Sequence, residues 1–182
     1  MSETATLKVG DAAPDFELPA SPMGDPGPFK LSDHRGSTVV INFVPAAFSP
    51  VCSNQLPIIE EQLGSLEGAV TVAIATDNTW TLAAWAQQTG VSYPVLSDFN
   101  PIGATAEAYG VLLPGMNMAN RVVVVVDGDG NVAHIETAPA VVELPDYGPV
   151  LACVAGGAGD AALAVVGDRW SVFGRGQRLA VR

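Results

Sequence analysis

Cysteine and histidine are scarce in this chain, and their scarcity argues against several kinds of metal and catalytic site. The 182 residues include two cysteines, Cys52 and Cys153, and two isolated histidines, His34 and His134. Two cysteines in a chain of this length form no disulfide framework, and neither a C-x-x-C pair nor a Cys/His cluster is present. We therefore expect no metal site, no cofactor and no Cys–His catalytic pair, and a thiol kept reduced as in a cytosol.

Positive charge is also scarce, and it is concentrated near the C-terminus. The chain has 8 Lys and Arg against 19 Asp and Glu, and its net charge of −11 disfavours nucleic acid as a partner. Four of the basic residues are arginines near the end of the chain, Arg169, Arg175, Arg178 and Arg182. We expect residues 168–182 to form a mobile basic tail rather than a docking site, after one domain over residues 1–167.

Long apolar segments are missing as well. Met1–Lys8 is short and polar, unlike a secretory signal, and the apolar stretch Val150–Val166 is broken by glycines and by Asp160. We expect a soluble, cytoplasmic protein that does not bind membranes. A hydrophobic content of 48% is enough for one compact core.

Segments of strand and helix type alternate along the chain, which indicates an α/β fold. The predicted strands are Val39–Val44, Val70–Thr76 and Tyr93–Leu96, and the predicted helices lie near Pro50–Leu66, Thr79–Gln88 and Ile102–Tyr109. Two further strands should form a hairpin around the turn Asp127–Gly130, before a last helix. Pro57 should kink or interrupt the helix that begins at Pro50.

Cys52 lies where the first long helix should begin. A β-branched run ends at Pro45, and Ser49 places a hydroxyl three residues before the thiol. The unpaired N–H groups and the positive end of the helix dipole favour a thiolate at such a position. The alternative is a small buried side chain without chemistry, which is common for isolated cysteines.

The residues around Cys52 resemble the active-site motif of the peroxiredoxins. Pro45-x-x-x-Ser49-x-x-Cys52 is similar to the family motif P-x-x-x-T/S-x-x-C, with serine in place of the commoner threonine. Three other segments resemble the family's in the same order, namely Val9–Leu18, Tyr93–Phe99 and Ala119–Arg121 before the valine run Val122–Val126. Within the family, the sequences of residues 47–52 and 96–104 are most similar to the one-Cys alkyl hydroperoxide reductase E type, and the bacterioferritin-comigratory type is the nearest alternative.

This resemblance implies a thioredoxin-like fold, a central mixed β-sheet flanked by helices, and a thiol-dependent hydroperoxide reductase. Cys52 would attack the peroxide and become a sulfenic acid that an external thiol reduces. Ser49 would orient the peroxide, Arg121 would favour the thiolate and the transferring oxygen, and Pro45 would shield the sulfur from water. From local sequence alone, Ser49 fits a helix N-cap equally well, and Arg121 and Pro45 fit the ends of strands.

The supporting residues and the partners follow from the same resemblance. Gln55 should hydrogen-bond Arg121, where many relatives carry glutamate. Phe48 and Phe99 either line an apolar entrance to the site for alkyl hydroperoxides or pack in the core or a dimer interface. The same alternatives apply to Trp80 and Trp85. The expected partners are a hydroperoxide, a reductant that is thioredoxin, a glutaredoxin-like protein or a small thiol, and a second copy of the chain in a homodimer.

Cys153 leaves a two-Cys mechanism open. A resolving cysteine would condense with the sulfenic acid of Cys52, but the apolar helical setting of Cys153 favours a packed thiol. Two other classes are less well supported. The lack of C-x-x-C argues against a thiol-disulfide oxidoreductase, and the joint presence of Pro45, Ser49, Cys52 and Arg121 argues against a redox-inert interaction protein.

Overall fold

The computed structural model describes residues 3–21, 27–64, 66 and 68–157, together with the backbone of two later strands. The strands of this part are β1 (Glu17–Leu18), β2 (Ala20–Ser21), β3 (Phe29–Lys30), β4 (Thr38–Phe43), β5 (Ala69–Ala75), β6 (Val95–Ser97), β7 (Val122–Val126), β8 (Val132–Thr137), β9 (Ala162–Val166) and β10 (Arg169–Phe173). The α-helices are α1 (Pro50–Leu63), α2 (Thr79–Thr89), α3 (Ala104–Ala108) and α4 (Tyr147–Gly157), and a short 3-10 helix covers Leu31–His34.

Six of the strands form a mixed central sheet in the order β2-β6-β5-β4-β7-β8. The strands β4, β5 and β6 run parallel, whereas β7 is antiparallel to β4 and pairs with β8 in the predicted hairpin. Both β4 and β7 are rich in valine and buried, as expected for central strands covered on both faces. The predicted mixed sheet flanked by helices is therefore confirmed.

The pairing of β4 with β7 brings distant residues to one edge of the sheet. Phe43 at the end of β4 lies opposite Val122 at the beginning of β7. The residue before Val122 therefore lies beside the segment that follows Phe43, which leads through Pro45 to α1. The register thus places Arg121 next to the first turn of α1.

One apolar cluster fills the space between the sheet and three helices. It includes residues of α1, α2 and α4, and Cys52 is part of it. The cluster on the opposite face contains Phe16, Phe29 and Tyr109, whose rings contact one another. Cys52 is thus held between the sheet and the helices on one face.

Helix α1 differs in two respects from the prediction. It ends at Leu63 rather than Leu66, because Gly64 follows and donates its N–H to the carbonyls of Ile59 and Glu60. Pro57 lies inside the helix without interrupting it. A proline removes one amide donor but leaves the rest of the ladder in place, so the helix continues through it.

Helix α3 begins later than predicted, at Ala104 rather than near Ile102. Gly103 precedes it with φ 71°, a left-handed conformation that glycine adopts readily. The carboxylate of Asp98 accepts hydrogen bonds from the N–H groups of Thr105 and Ala106, which fixes the helix start. Burial raises the pKa of Asp98, and these hydrogen bonds partly offset that effect.

The segment predicted to be a basic tail contains regular structure near its beginning. Strand β10 (Arg169–Phe173) pairs antiparallel with β9, and the mobility expected of residues 168–182 stays a prediction. Arg175, Arg178 and Arg182 lie outside the described residues, and the domain boundary at residue 167 stays a prediction. Within the described part of the chain, no helix is both long and apolar enough to cross a membrane.

Candidate active site

Cys52 lies in the first turn of α1, as the sequence predicted. The helix begins at Pro50, and Ser49 occupies the N-cap position in an extended conformation. The proline is well placed, because the first helical N–H has no partner within the helix. The side chain of Cys52 is fully buried, and the residue belongs to the turn whose backbone N–H groups have no carbonyl partner within the helix.

Arg121 brings its guanidinium to the sulfur of Cys52. Its Nη1 lies 3.4 Å from Cys52 Sγ and also donates to Oε1 of Gln55, the hydrogen bond expected from the sequence. Nε and Nη2 both donate to the carbonyl of Val141, at 3.1 and 3.0 Å. The side chain is only 2% exposed, so its position is set by these contacts and not by solvent.

The charge of Arg121 has no carboxylate partner in the described part of the chain. Its acceptors are an amide oxygen, a backbone carbonyl and the sulfur, whereas the ion pair of that part joins His134 and Glu136 at 3.3 Å. A buried cation without an anion is costly unless a negative charge forms beside it. The thiolate of Cys52 would supply that charge.

A carboxylate outside the motif holds the loop that carries it. Oδ2 of Asp77 accepts a hydrogen bond of 2.9 Å from the N–H of Ala47. Pro45 at the start of this loop is buried, and Phe48 near its end has φ 60°. Asp77 follows β5, the parallel neighbour of β4, so the two loops leave the sheet at the same edge.

The hydroxyl of Ser49 makes no capping hydrogen bond to the helix. The position of the residue fits the N-cap alternative, but the side-chain contact that defines a cap is missing. Ser49 is half-buried and stands one helical turn before the thiol. Its hydroxyl is therefore available to a peroxide beside Cys52.

The aromatic residues around the site divide into buried and exposed ones. Trp85 is fully buried, and its Nε1 donates to the hydroxyl of Ser53 at 3.1 Å. Phe48 packs near it, with ring centroids 6.5 Å apart, yet remains 46% exposed. Phe99 and Trp80 are also exposed. Trp85 is thus a core residue, whereas the other three lie on the surface.

Two residues of this site escaped the sequence analysis. Tyr147, the first residue of α4, accepts a hydrogen bond of 2.8 Å from Nε2 of Gln55. Burial raises its pKa far above the usual range, so the hydroxyl stays neutral. No local pattern marks Tyr147, whereas Asp77 could have been found by placing β5 beside β4.

Cys153 lacks the helix start and the guanidinium contact that distinguish Cys52. It lies in α4, is partly buried and packs against the same apolar cluster. Burial raises the pKa of its thiol, and the nearby charge of Asp127 raises it further. In the described residues, no group of three or more His, Cys, Asp or Glu side chains could hold a metal ion.

Known proteins are similar to this chain in both sequence and architecture. A model of the "AhpC/TSA family" matches residues 9–135. Alkyl hydroperoxide reductase E of Mycobacterium bovis is 35% identical over 133 residues, which cover 71% of this chain and 85% of that protein. A thiol peroxidase of Oceanobacillus iheyensis is 31% identical over 148 residues, covering 81% and 88%.

Solved structures agree with this assignment. A peroxiredoxin-like protein from Aquifex aeolicus superposes with a TM-score of 0.75 at 25% identity, over 83% of this chain and 88% of that one. AhpC of Enterococcus faecalis gives a TM-score of 0.72 at 25% identity, over 81% and 90%. The thioredoxin-like fold expected from the sequence is therefore confirmed. A buried cysteine at a helix start, an arginine against its sulfur and these likenesses lead to one conclusion: the chain belongs to the AhpC/TSA family.

Proposed function

We propose that this protein is a thiol-dependent peroxidase that reduces hydrogen peroxide and organic hydroperoxides at Cys52. The thiolate attacks one oxygen of the O–O bond, which breaks and releases the other oxygen as water or an alcohol once it takes up a proton. The sulfur keeps the oxygen that it attacked and becomes a sulfenic acid, a two-electron oxidation of the thiol in which the peroxide is reduced. An external thiol then condenses with the sulfenic acid, water leaves, and a second thiol releases Cys52 from the mixed disulfide.

The observation that carries this proposal is the buried guanidinium of Arg121 against the sulfur. Among the described residues its acceptors apart from Cys52 are neutral, so the thiolate and the charge that develops on the departing oxygen would be its counter-charges. Preorganised donors that stabilise developing charge make the largest single contribution to the rate enhancement of many enzymes. Ser49 would donate to the peroxide and align the O–O bond, and Pro45 would exclude water from the sulfur.

The burial of Cys52 divides the cycle into two steps with different access. A hydroperoxide is small and needs only a narrow opening to reach the sulfur. A protein reductant must contact the sulfur itself, which is fully buried. We therefore propose that the segment from Pro45 to Cys52 moves when the sulfenic acid is reduced. The reductant is thioredoxin, a glutaredoxin-like protein or a small thiol.

The activity is tested with three proteins and one small thiol as reductant. Consumption of hydrogen peroxide in the presence of dithiothreitol should be abolished in Cys52→Ser and unchanged in Cys153→Ser. The second variant is the matched control, because it removes the other thiol of the chain. Full activity of Cys52→Ser would refute the mechanism, and loss of turnover in Cys153→Ser would support the two-Cys alternative.

We also propose a cytoplasmic homodimer. Phe48 and Phe99 are 46% and 49% exposed, and burial against a second copy of the chain would remove this apolar surface from water. Light scattering at micromolar concentration should give twice the mass of the chain. A mass of one chain would contradict the dimer and leave the peroxidase proposal intact.

A further inference from the structure

Tyr147 completes a hydrogen-bond chain that ends at the sulfur of Cys52. Its hydroxyl oxygen accepts from Nε2 of Gln55 at 2.8 Å, and the opposite end of the same amide accepts from Arg121. Arg121 in turn reaches Cys52 Sγ at 3.4 Å. Tyr147 lies outside the segment 9–135 that the family model matches, so the motif residues do not include it.

Because the two ends of an amide differ, the partner of the Gln55 NH₂ group matters as much as the partner of its oxygen. A guanidinium contains only donors, so Gln55 supports Arg121 only when its oxygen faces the guanidinium and its NH₂ group faces away. Gln55 is fully buried, and its NH₂ group therefore needs an acceptor within the protein. Tyr147 supplies that acceptor and is itself 5% exposed.

We propose that Tyr147 is a positioning residue for the peroxidase reaction. Arg121 requires the oxygen end of the Gln55 amide, and the hydroxyl of Tyr147 accepts from the NH₂ group that then faces away, so the held amide keeps the guanidinium against the sulfur. Without the hydroxyl, the buried NH₂ group has no acceptor in this orientation, and turning the amide over would set NH₂ against the guanidinium. The inference rests on the proposed role of Cys52 as the reacting thiol.

A carboxylate at position 55 would remove the need for Tyr147. Its two oxygens are equivalent acceptors, so either can face the guanidinium and no wrong orientation exists. The Tyr147→Phe change should therefore slow the reaction when residue 55 is Gln, and hardly affect it in a Gln55→Glu background. A purely structural role for the hydroxyl would cost the same in both backgrounds.

Tyr93 offers a matched control, because its hydroxyl is bonded to the same helix, α1, as that of Tyr147. It is also 5% exposed, and its hydroxyl donates to the carbonyl of Leu56 in α1 at 3.0 Å. Tyr93→Phe thus removes one buried hydroxyl that is bonded to α1, as Tyr147→Phe does, but it leaves the chain to Arg121 untouched. Both changes keep the ring and its packing.

The test measures the rate at which hydrogen peroxide oxidises Cys52, by rapid quenching with dimedone followed by intact mass. We expect Tyr147→Phe to lower this rate about tenfold, as for one lost hydrogen bond to a group that orients a charge. Tyr93→Phe should stay within about twofold of wild type, below the contribution of even a weak hydrogen bond, because the bonds that hold Arg121 are intact. The Gln55→Glu, Tyr147→Phe double variant should likewise stay within about twofold of Gln55→Glu.

Three results would overturn the role of Tyr147. They are an unchanged rate in Tyr147→Phe, an equal loss in Tyr93→Phe, and an equal loss when residue 55 is Glu. Thermal melting of each variant reports its fold. If the wild-type protein showed no reaction of Cys52 with peroxide, the proposed function itself would fail, an outcome distinct from these three.

Discussion

The two cysteines of this chain face the same apolar cluster, yet their surroundings differ in nearly every respect that matters for thiol chemistry. Cys52 is fully buried at the start of α1, with a guanidinium 3.4 Å from its sulfur. Cys153 is partly buried in α4, where burial and the charge of Asp127 raise the pKa of its thiol. The two thiols therefore share an apolar environment and differ in the donor that faces the sulfur, and this difference underlies the role proposed for Cys52.

The largest effect on this comparison should come from removing the guanidinium. We expect Arg121→Ala to slow the oxidation of Cys52 by about 100- to 1,000-fold, the usual cost of losing a donor aimed at developing charge. The same stopped assay with dimedone measures it. Arg121→Lys is the control, since it keeps the charge but cannot reach Cys52, Gln55 and Val141 together. Its oxidation rate should lie between those of the wild type and Arg121→Ala.

A rate for Arg121→Ala within about twofold of wild type would show that Cys52 needs no cation, because even a weak hydrogen bond contributes more than that. Cys52 would then resemble Cys153 more closely than the geometry indicates.

A smaller effect should follow from removing the hydroxyl beside the sulfur. Ser49→Ala is expected to lower the rate of peroxide reduction about tenfold, through the loss of one hydrogen bond to the peroxide. Ser49→Thr keeps a hydroxyl at the same place and should retain most of the activity. Melting temperatures should be nearly equal, because Ser49 makes no side-chain cap to the helix. A lower melting temperature with unchanged activity would instead favour the capping role.

The smallest expected effect concerns the thiol of Cys153. Since the thiolate is the reacting form, a raised pKa keeps the rate of alkylation low at neutral pH and makes it rise with pH beyond the range of a free thiol. In Cys52→Ser, the rate with iodoacetamide should still be rising above about pH 8.5, the ordinary pKa of cysteine. A plateau below that pH would reveal an activated thiol and revive the resolving role.

The parts of the site that could be predicted from the sequence are those that short-range patterns encode. The spacing of Pro45, Ser49 and Cys52 follows from one strand end and one helix start, so the loop and α1 were recognisable. The strand that follows Arg121 is equally plain as a run of valines. The overlong helix prediction and the later start of α3 arose where glycines and a buried carboxylate set the boundaries.

The remaining parts depend on contacts between distant segments. Arg121 and Cys52 are 69 residues apart, and only the antiparallel register of β7 on β4 joins them. Tyr147 is 92 residues from Gln55 and has no motif around it. The contact of Tyr147 with Gln55 arises from the packing of α4 against the sheet, which no local propensity specifies.

The most direct test of the central claim is the intact mass of the protein after one equivalent of hydrogen peroxide, with dimedone present and without reducing agent. We predict a dimedone adduct on Cys52, both in the wild type and in Cys153→Ser. That result would establish that Cys52 alone forms the sulfenic acid and awaits an external thiol. A disulfide in the wild type that disappears in Cys153→Ser, or the absence of any oxidation at Cys52, would contradict the account.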